Sequence, residues 1–321
     1  MPILANTDSA DRDQIRAAFL PFARPDYVEG MLLGDDLDSL LSAMYLQQKF
    51  GWPVAGVYCQ YTRLWPVQER LAFREKLLAG KIFAVDLDIY NVAVPSLGHH
   101  IVYLNTEDNL PGHSHTLNPN ILRGFTIHRH FRRKYPLATI HFLLWLFDEK
   151  GLSPEAEMLV WLADSAFVNA QHYRENVEEW VNAYFRFPPF AALLPALHTR
   201  AFEEQLQATV LEPLSGNPLC HPGRSNYKSV HLGLNGFQCQ FDNPNTQNEP
   251  LQALLDRLST LTGWLRLDFP RHFEGFWEGK RKEARWEDVL PGGLAFGDWL
   301  EQQGVFSYAF TFKDRLNWTV I

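Results

Sequence analysis

Short apolar runs alternate with amphipathic stretches in the first part of the chain, and this alternation constrains the fold more than any other feature. Strands are predicted over Val28–Leu33, Pro53–Tyr58 and Ile82–Val85. Helices are predicted between them, over Leu40–Lys49 and Val67–Leu78. Such alternation is typical of a parallel sheet covered by crossover helices. We therefore predict an α/β fold with an open, mostly parallel sheet flanked by helices.

The pattern changes after the middle of the chain. Apolar helices are predicted over Ala138–Phe147 and Glu155–Phe167, and a segment dense in proline and glycine follows at Glu212–Ser225. We place a domain boundary near this segment. Residues 1–210 then form the main domain with its trailing helices, and residues 211–321 form a smaller α+β domain that selects the substrate.

The smaller domain has mixed character. One helix is predicted over Leu251–Leu261. Strand-like runs occur at Val230–Leu234, Trp264–Phe269 and Ser307–Phe312.

Composition narrows the functional class. The chain has 321 residues, of which 46% are hydrophobic, so it can bury a core without disulfides or structural metals. The net charge of −8 excludes a protein that coats nucleic acid through overall positive charge. The three cysteines, Cys59, Cys220 and Cys239, contain no CxxC pair, so a reducing compartment is expected. No secretion signal or membrane-spanning stretch is recognised, so we expect a cytoplasmic protein without membrane contact.

Acidic and histidine residues follow the predicted strands. They are Asp36, Asp38, Asp86, Asp88, His99 and His100, with Asp164 late in a predicted helix. The carboxyl ends of neighbouring parallel strands meet in one crevice, where ligands bind. Carboxylates with imidazole suit Mn²⁺, Mg²⁺ or Zn²⁺, and a shared carboxylate can hold two ions about 3.5–4 Å apart. Taken singly, an aspartate at a strand end is more often a turn residue or a helix cap.

The order of these clusters resembles that of the DHH phosphoesterase superfamily. The segments that resemble its four motifs are Met31–Ala43, Phe83–Asp88, Gly98–His100 and Val160–Phe167. The Asp-Leu-Asp-Ser sequence in the first is closest to the exopolyphosphatase branch. Leu110–Asn120 is similar to the Leu-Pro and Asn-Pro segment of RecJ-type single-strand exonucleases. The resemblance covers about residues 28–170 and implies a DHH-like domain.

The resemblance also implies roles for individual residues. It implies two divalent ions, Mn²⁺ or Mg²⁺, which activate a water and neutralise charge on the phosphoryl group. The implied ligands of the first ion are Asp38, Asp86, His99 and Asp164. Asp86 bridges to a second ion held partly by Asp36, so both take part in catalysis. His100 contacts the phosphoryl oxygen or the leaving group.

The chain departs from the family pattern at three positions. Gly98 replaces the aspartate of the name motif, and Asp88 or Asp35 is the candidate substitute. Leu32 stands where many members have a histidine that binds the second ion. RecJ-type enzymes have a further aspartate where this chain has Gly34, and Asp35 is again the candidate substitute.

Several residues are candidates for substrate binding. In the basic run from His128 to Lys134, Arg132 and Arg133 are predicted to track a phosphate backbone, although a solvated helix face fits equally well. A second mixture of cations and aromatic residues lies between Arg271 and Arg285. The loop that should return to the crevice contributes His113, His115, Asn118 and Asn120.

These observations lead to one main expectation and two alternatives. We expect a metal-dependent phosphodiesterase that acts on single-stranded nucleic acid or short oligonucleotides. The Asp-Leu-Asp-Ser sequence and the acidic charge also fit hydrolysis of phosphoanhydrides, either polyphosphate or pyrophosphate. Gly98 and Leu32 also fit a catalytically degenerate module that binds a nucleotide or a protein partner.

Overall fold

The computed structural model describes residues 11–223, 227–290 and 294–321. Its strands are β1 Gly30–Leu33, β2 Val54–Cys59, β3 Arg63–Pro66, β4 Ile82–Val85, β5 Ser96–Leu97, β6 Thr116–Leu117, β7 Cys220–Pro222, β8 Phe237–Cys239, β9 Trp277–Glu278, β10 Lys280–Arg285, β11 Val305–Phe312 and β12 Arg315–Val320. Seven of them form one sheet in the order β6-β5-β4-β1-β2-β3-β9. The strands from β6 to β2 are parallel, whereas β3 and β9 pair antiparallel. The predicted α/β fold with a mostly parallel sheet is confirmed.

Helices flank this sheet, and others pack against the carboxyl-terminal part of the chain. They are α1 Arg12–Ala18, α2 Leu20–Ala23, α3 Leu37–Phe50, α4 Arg70–Leu78, α5 Pro119–Leu122, α6 Ile127–His130, α7 Thr139–Leu146, α8 Pro154–Leu162, α9 Ala166–His172, α10 Arg174–Glu178, α11 Pro188–Leu197, α12 Arg200–Leu206, α13 Glu212–Ser215, α14 Asn248–Thr262, α15 Trp286–Val289 and α16 Phe296–Gln302. Among the described residues, no helix has the length and apolar character needed to cross a bilayer.

The strand β1 and the helix α3 form the centre of the fold. Every residue of β1 is buried, as expected for a parallel strand covered on both faces. The carboxylate of Asp36 accepts a hydrogen bond from the Ser39 amide and caps α3, so the helix begins at Leu37, three residues before the predicted start. Gly51, with φ +72°, ends it.

The strand order creates a crevice between β1 and β4. From β1 the chain continues to β2 and β3 on one side, and then crosses to β4 on the other side. Neighbouring strands whose connections leave in opposite directions open a cleft at their carboxyl ends. The segments after β1 and β4 both carry pairs of aspartates, and they meet in this cleft.

The carboxyl-terminal part adds a second sheet and contacts the first. The strands β10, β12 and β11 form an antiparallel sheet in that order. The predicted strand Ser307–Phe312 is confirmed within β11, whereas Val230–Leu234 and Trp264–Phe269 are irregular, so those predictions are wrong. Because β9 joins the edge of the main sheet, both parts of the chain share one framework. The domain boundary after residue 210 stays a prediction.

Some sequence expectations concern residues outside the described ranges. Residues 1–10, on which the expectation about a secretion signal rests, lie outside these ranges. Residues 224–226, near the expected domain boundary, also lie outside them.

Candidate metal centre

Three predicted ligands lie together at the crevice. Atoms of Asp38, Asp86 and His99 lie within 4.8 Å of one another, and no other group of three or more potential metal ligands this close was found in the described residues. His99 Nδ1 is 3.2 Å from Asp86 Oδ1 and 3.7 Å from Asp38 Oδ2. Both carboxylates are buried. Two carboxylates and an imidazole are a donor set that Mn²⁺, Mg²⁺ or Zn²⁺ accepts, so these residues fit the expected cation.

Asp86 is held tightly at the carboxyl end of β4. Its backbone has φ +60°, a conformation that aspartate tolerates better than most residues. Its oxygens accept hydrogen bonds from Ser39 Oγ at 2.8 Å and from Thr139 Oγ1 at 2.7 Å. Burial raises the pKa of Asp86, but hydrogen bonds with His99, Thr139 and Ser39 and the positive charge of His99 together lower it to about 2. Asp86 is therefore ionised and oriented.

Asp38 joins α3 to α7. Its two oxygens accept the amides of Thr139 at 2.6 Å and Ile140 at 2.9 Å, at the beginning of α7. Ala138, the N-cap residue of that helix, supplies no side-chain hydrogen bond, so Asp38 takes over the capping role from a distant part of the chain. Burial and the negative charge of Asp86 raise the pKa of Asp38 well above its usual range.

Asp164 reaches the site through a break in a predicted helix. The single helix predicted over Glu155–Phe167 is wrong, because α8 ends at Leu162 and α9 begins at Ala166. Asp164 lies in the break with φ +49°, and its Oδ2 is 2.9 Å from His99 Nε2. The break turns its carboxylate toward the crevice.

His99 lies between two sets of carboxylates. Its Nδ1 faces Asp38 and Asp86, and its Nε2 faces Asp164. Burial lowers the pKa of His99, but the negative charges of Asp164 and Asp86 and their hydrogen bonds raise it well above its usual value. The surrounding carboxylates therefore favour the protonated form of His99, and a bound cation would have to displace that proton because only a neutral imidazole binds a metal.

Asp36 and Leu32 bear on the predicted second ion. The carboxylate of Asp36 caps α3 and does not belong to the group formed by Asp38, Asp86 and His99. Leu32 is fully buried in the apolar core of the sheet. The one group of three ligands in the described part of the chain accounts for a single ion, and the second ion stays a prediction.

Asp88 takes the place of the side chain that Gly98 lacks. A Cβ atom at position 98 would lie 2.2 Å from Asp88 Oδ1. Asp88 Oδ2 accepts the His100 amide at 3.1 Å and lies 3.0 Å from His100 Nδ1. When Nδ1 carries the proton and donates it to Asp88, Nε2 of the 35% exposed His100 side chain is available to a ligand. Of the two predicted substitutes for the missing aspartate, the structure favours Asp88.

The other candidate, Asp35, points elsewhere. Its carboxylate accepts the Gln60 amide at 2.8 Å and is 3.3 Å from Gln240 Nε2. Burial raises the pKa of Asp35 to about 6. A Cβ at Gly34 would lie 2.3 Å from Ser39 Oγ, the group that donates to Asp86. A side chain at position 34 would therefore displace Ser39, and the role of Asp35 as a substitute stays a prediction.

Asn118 and Asn120 support the histidines from behind. Asn118 Nδ2 donates to Asp88 Oδ1 and to the His100 carbonyl, both at 2.7 Å. Asn120 Nδ2 donates to the His99 carbonyl at 2.8 Å. Both asparagines are buried. These contacts give them positioning roles in place of the predicted substrate contacts.

The remaining predicted substrate residues do not meet at the group formed by Asp38, Asp86 and His99. His113 is buried between Thr116 and Tyr308, and burial lowers its pKa to about 4. His115 is exposed at the amino-terminal end of β6, at the edge of the sheet opposite the crevice. Arg133 pairs with Glu179 at 2.5 Å, and the neighbouring Arg132 is exposed. The structure does not bring these side chains to the crevice.

A cavity beside His100 contains residues that the sequence did not identify as a group. Its volume is about 320 Å³, and its lining includes Tyr61, His100, Lys134, Arg281 and Asn317. Lys134 ends the predicted basic run and Arg281 lies in the second cationic and aromatic segment. The composition of both segments was a usable signal, but only the fold shows which cation of each faces His100.

Thr139 is also a site residue that sequence reasoning missed. Its Oγ1 donates to Asp86 and is 2.9 Å from His99 Nδ1. The sequence did contain a signal for Thr139, because it is a hydroxyl residue in the first turn of a mostly apolar helix.

Comparisons with known proteins find no match: no protein-family model, no curated protein and no solved structure matches this chain. The residues and their geometry therefore carry the functional inference.

Proposed function

We propose that this chain is a divalent-metal-dependent phosphoesterase with a DHH-like site, acting on single-stranded nucleic acid or short oligonucleotides. The observation that carries the proposal is the buried group of Asp38, Asp86 and His99 at the cleft between β1 and β4. Asp164, the fourth ligand that the resemblance implies, contacts Nε2 of His99, on the opposite side of the ring from Asp38 and Asp86. Two acidic groups and a histidine are unusual in a core unless charge or a ligand balances them.

Each site residue has a defined task in this proposal. Asp38, Asp86 and His99 would hold a divalent cation, which would act as a Lewis acid for a phosphoryl oxygen and lower the pKa of the attacking water. Ser39 and Thr139 donate hydrogen bonds that fix the carboxylate of Asp86 within this group. Asp88 holds Nδ1 of His100, which presents Nε2 to the phosphoryl oxygen or the leaving group.

The pair formed by Asp88 and His100 supports catalysis over the binding-only alternative. A site that had lost its supporting carboxylate would leave Nδ1 of His100 without an acidic partner. Here the loop after β4 supplies that carboxylate, with both Asp88 oxygens engaged by His100 or Asn118. Such contacts orient a histidine and fix its tautomer.

The proposal is tested by cleavage of an end-labelled single-stranded oligonucleotide in the presence of Mn²⁺. We expect stepwise shortening by the wild type and its loss in Asp86→Asn. Asparagine has nearly the same shape and tolerates the positive φ of position 86, so this variant removes charge with little change in backbone. Asp298→Asn, which removes an exposed carboxylate, is the matched control. Intact single-stranded DNA and RNA with the wild type would refute the nucleic-acid substrate.

A further inference from the structure

The cavity beside His100 has one wall made by β11 and β12 of the antiparallel sheet. On the opposite face, Phe310 packs against Phe296 and Trp318 packs against Trp299 of α16. Side chains alternate across a strand, so the neighbouring residues point away from α16. Among the residues on the face turned away from α16, the following line the cavity: Ser307, Ala309, Asn317 and Thr319.

Arg281 extends the same wall. It is the register partner of Thr319 on β12, so the two side chains share a face of the sheet. Its guanidinium lies 5.7 Å from the ring centre of Tyr61, which also lines the cavity. In the described part of the chain it forms no ion pair.

Lys134 supplies a second cation from the opposite side of the cavity. It is half-buried, its ammonium lies 4.8 Å from the ring centre of Phe131, and no carboxylate of a described residue pairs with it. Burial lowers the pKa of Lys134. Removing a cation from water without a counter-charge costs free energy, which an anionic ligand recovers.

The size and lining of the cavity restrict the kind of anionic ligand that can bind there. A volume of about 320 Å³ is at the lower end of the range for small-molecule sites, so it suits a compact group better than a folded nucleic acid. The ring of Tyr61 is already covered by Arg281, and Trp318 packs against Trp299. These aromatic residues therefore offer little free surface for stacking a base. The hydroxyl and amide groups of Thr311 and Asn317, which bond each other at 2.9 Å, offer hydrogen bonds instead.

We infer that Lys134 and Arg281 bind a second phosphoryl group of the substrate, while the scissile phosphoryl group lies between the metal cluster and His100. This inference rests on the proposed phosphoesterase function. It makes the preferred substrate a short phosphate compound with at least two phosphoryl groups close together. A terminal phosphate on a short oligonucleotide and a neighbouring phosphate in a polyphosphate chain both provide that chemistry.

The first test compares a dinucleotide that carries a 5′-phosphate with the same dinucleotide without it, in the presence of Mn²⁺. The wild type is expected to prefer the phosphorylated compound in kcat/KM. Lys134→Gln and Arg281→Gln should each reduce the preference roughly 10- to 100-fold, the effect of losing a hydrogen bond to a charged group. Equal kcat/KM values for the two compounds in the wild type, or an unchanged ratio in both variants, would overturn the inference. Tripolyphosphate as a third substrate shows whether the second phosphate belongs to a nucleotide or to a phosphoanhydride.

A matched control lies on the same strand as Arg281. Lys282 is the next residue of β10, is exposed, and points to the opposite face because side chains alternate. Lys282→Gln removes the same charge from the protein and should keep the preference for the phosphorylated compound.

A binding measurement separates failure of the subsite from failure of the proposed function. If no substrate is hydrolysed, the phosphoesterase proposal fails, and equilibrium binding of inorganic pyrophosphate still tests the cavity. Binding roughly 10-fold weaker in Lys134→Gln and in Arg281→Gln than in Lys282→Gln supports the subsite. Equal affinities in all three variants overturn it.

Discussion

The carboxylate of Asp88 occupies the space beside Gly98, so that a Cβ atom at position 98 would lie only 2.2 Å from Asp88 Oδ1. The two positions are therefore coupled, because a side chain at one excludes the carboxylate at the other. The backbone of Gly98 lies outside the left-handed region, so contact with Asp88 is the expected obstacle to alanine at this position.

Gly98→Ala should reduce the free energy of unfolding by about 1–3 kcal/mol, the usual cost of overpacking. In an Asp88→Ala background the same substitution should cost much less, because the clashing atoms are gone. Chemical denaturation of the four proteins in this double-mutant cycle measures the coupling. Additive effects would show that Asp88 moves aside freely.

Divalent cations are expected to stabilise the folded protein through the Asp38, Asp86 and His99 group. A ligand at 100 times its dissociation constant adds about 2.7 kcal/mol when it binds only the folded state. Thermal melting with and without Mn²⁺ should therefore show a higher Tm with the ion, and Asp86→Asn should lose most of the increase. Asp298→Asn should keep it, and an identical increase in both variants would place the cation elsewhere.

Asp164 should show the energetic cost of its left-handed backbone. Asp164→Gly and Asp164→Ala both remove the carboxylate next to His99, but only alanine resists φ +49°. The glycine variant should therefore be more stable than the alanine variant by about 1–2 kcal/mol. Urea denaturation of the two variants measures the difference. Equal stabilities would mean that the segment rearranges when the carboxylate is lost.

His141 should make the protein less stable below neutral pH. It is fully buried on α7 beside Trp161 and Phe190, and neither ring nitrogen has a hydrogen-bond partner among the described residues. Burial lowers the pKa of His141 to about 3. Above the ordinary histidine pKa of about 6.5, both the folded and unfolded states are neutral at this residue. Below it the unfolded chain binds a proton that the folded chain refuses, so stability falls as the pH falls toward 3.

The size of this effect follows from the shift. Between pH 6.5 and pH 5 the contribution of His141 to the loss of stability is roughly 2 kcal/mol. Denaturation at the two pH values should show a smaller loss in His141→Leu than in the wild type. His272→Gln, which changes an exposed histidine, should behave like the wild type. An unchanged loss in His141→Leu would mean that the folded protein accepts the proton.

The sequence pattern predicts the central sheet because its signals are local. β1 and β4 are uniformly apolar, and each precedes a pair of aspartates. Parallel pairing then brings those aspartates to one crevice, which is why Asp38 and Asp86 were identifiable. The Asp-x-Asp spacing alone does not distinguish the two aspartates. In the structure Asp36 caps a helix, whereas Asp38 is a candidate ligand.

Features that depend on distant contacts were not predictable. The segment around Asp164 continues a helical pattern, and only the packed structure shows its break. Lys134 and Arg281 lie far apart in the chain, so their shared cavity follows from the position of the antiparallel sheet. Val230–Leu234 and Trp264–Phe269 have strand-like composition but no neighbouring strand to pair with in the described structure, which explains the wrong predictions there.

Hydrogen bonds between distant parts of the chain have a consequence for biosynthesis. The amide of Phe241 donates to the Asp35 carbonyl, and the hydroxyl of Thr319 donates to the Tyr61 carbonyl. The acidic motif that includes Asp38 is synthesised before the cavity wall that includes Ser307 and Thr319. A nascent chain therefore exposes Asp38, Asp86 and His99 before it has the surface that we propose selects the substrate, and the two can form one site only after synthesis has passed residue 319.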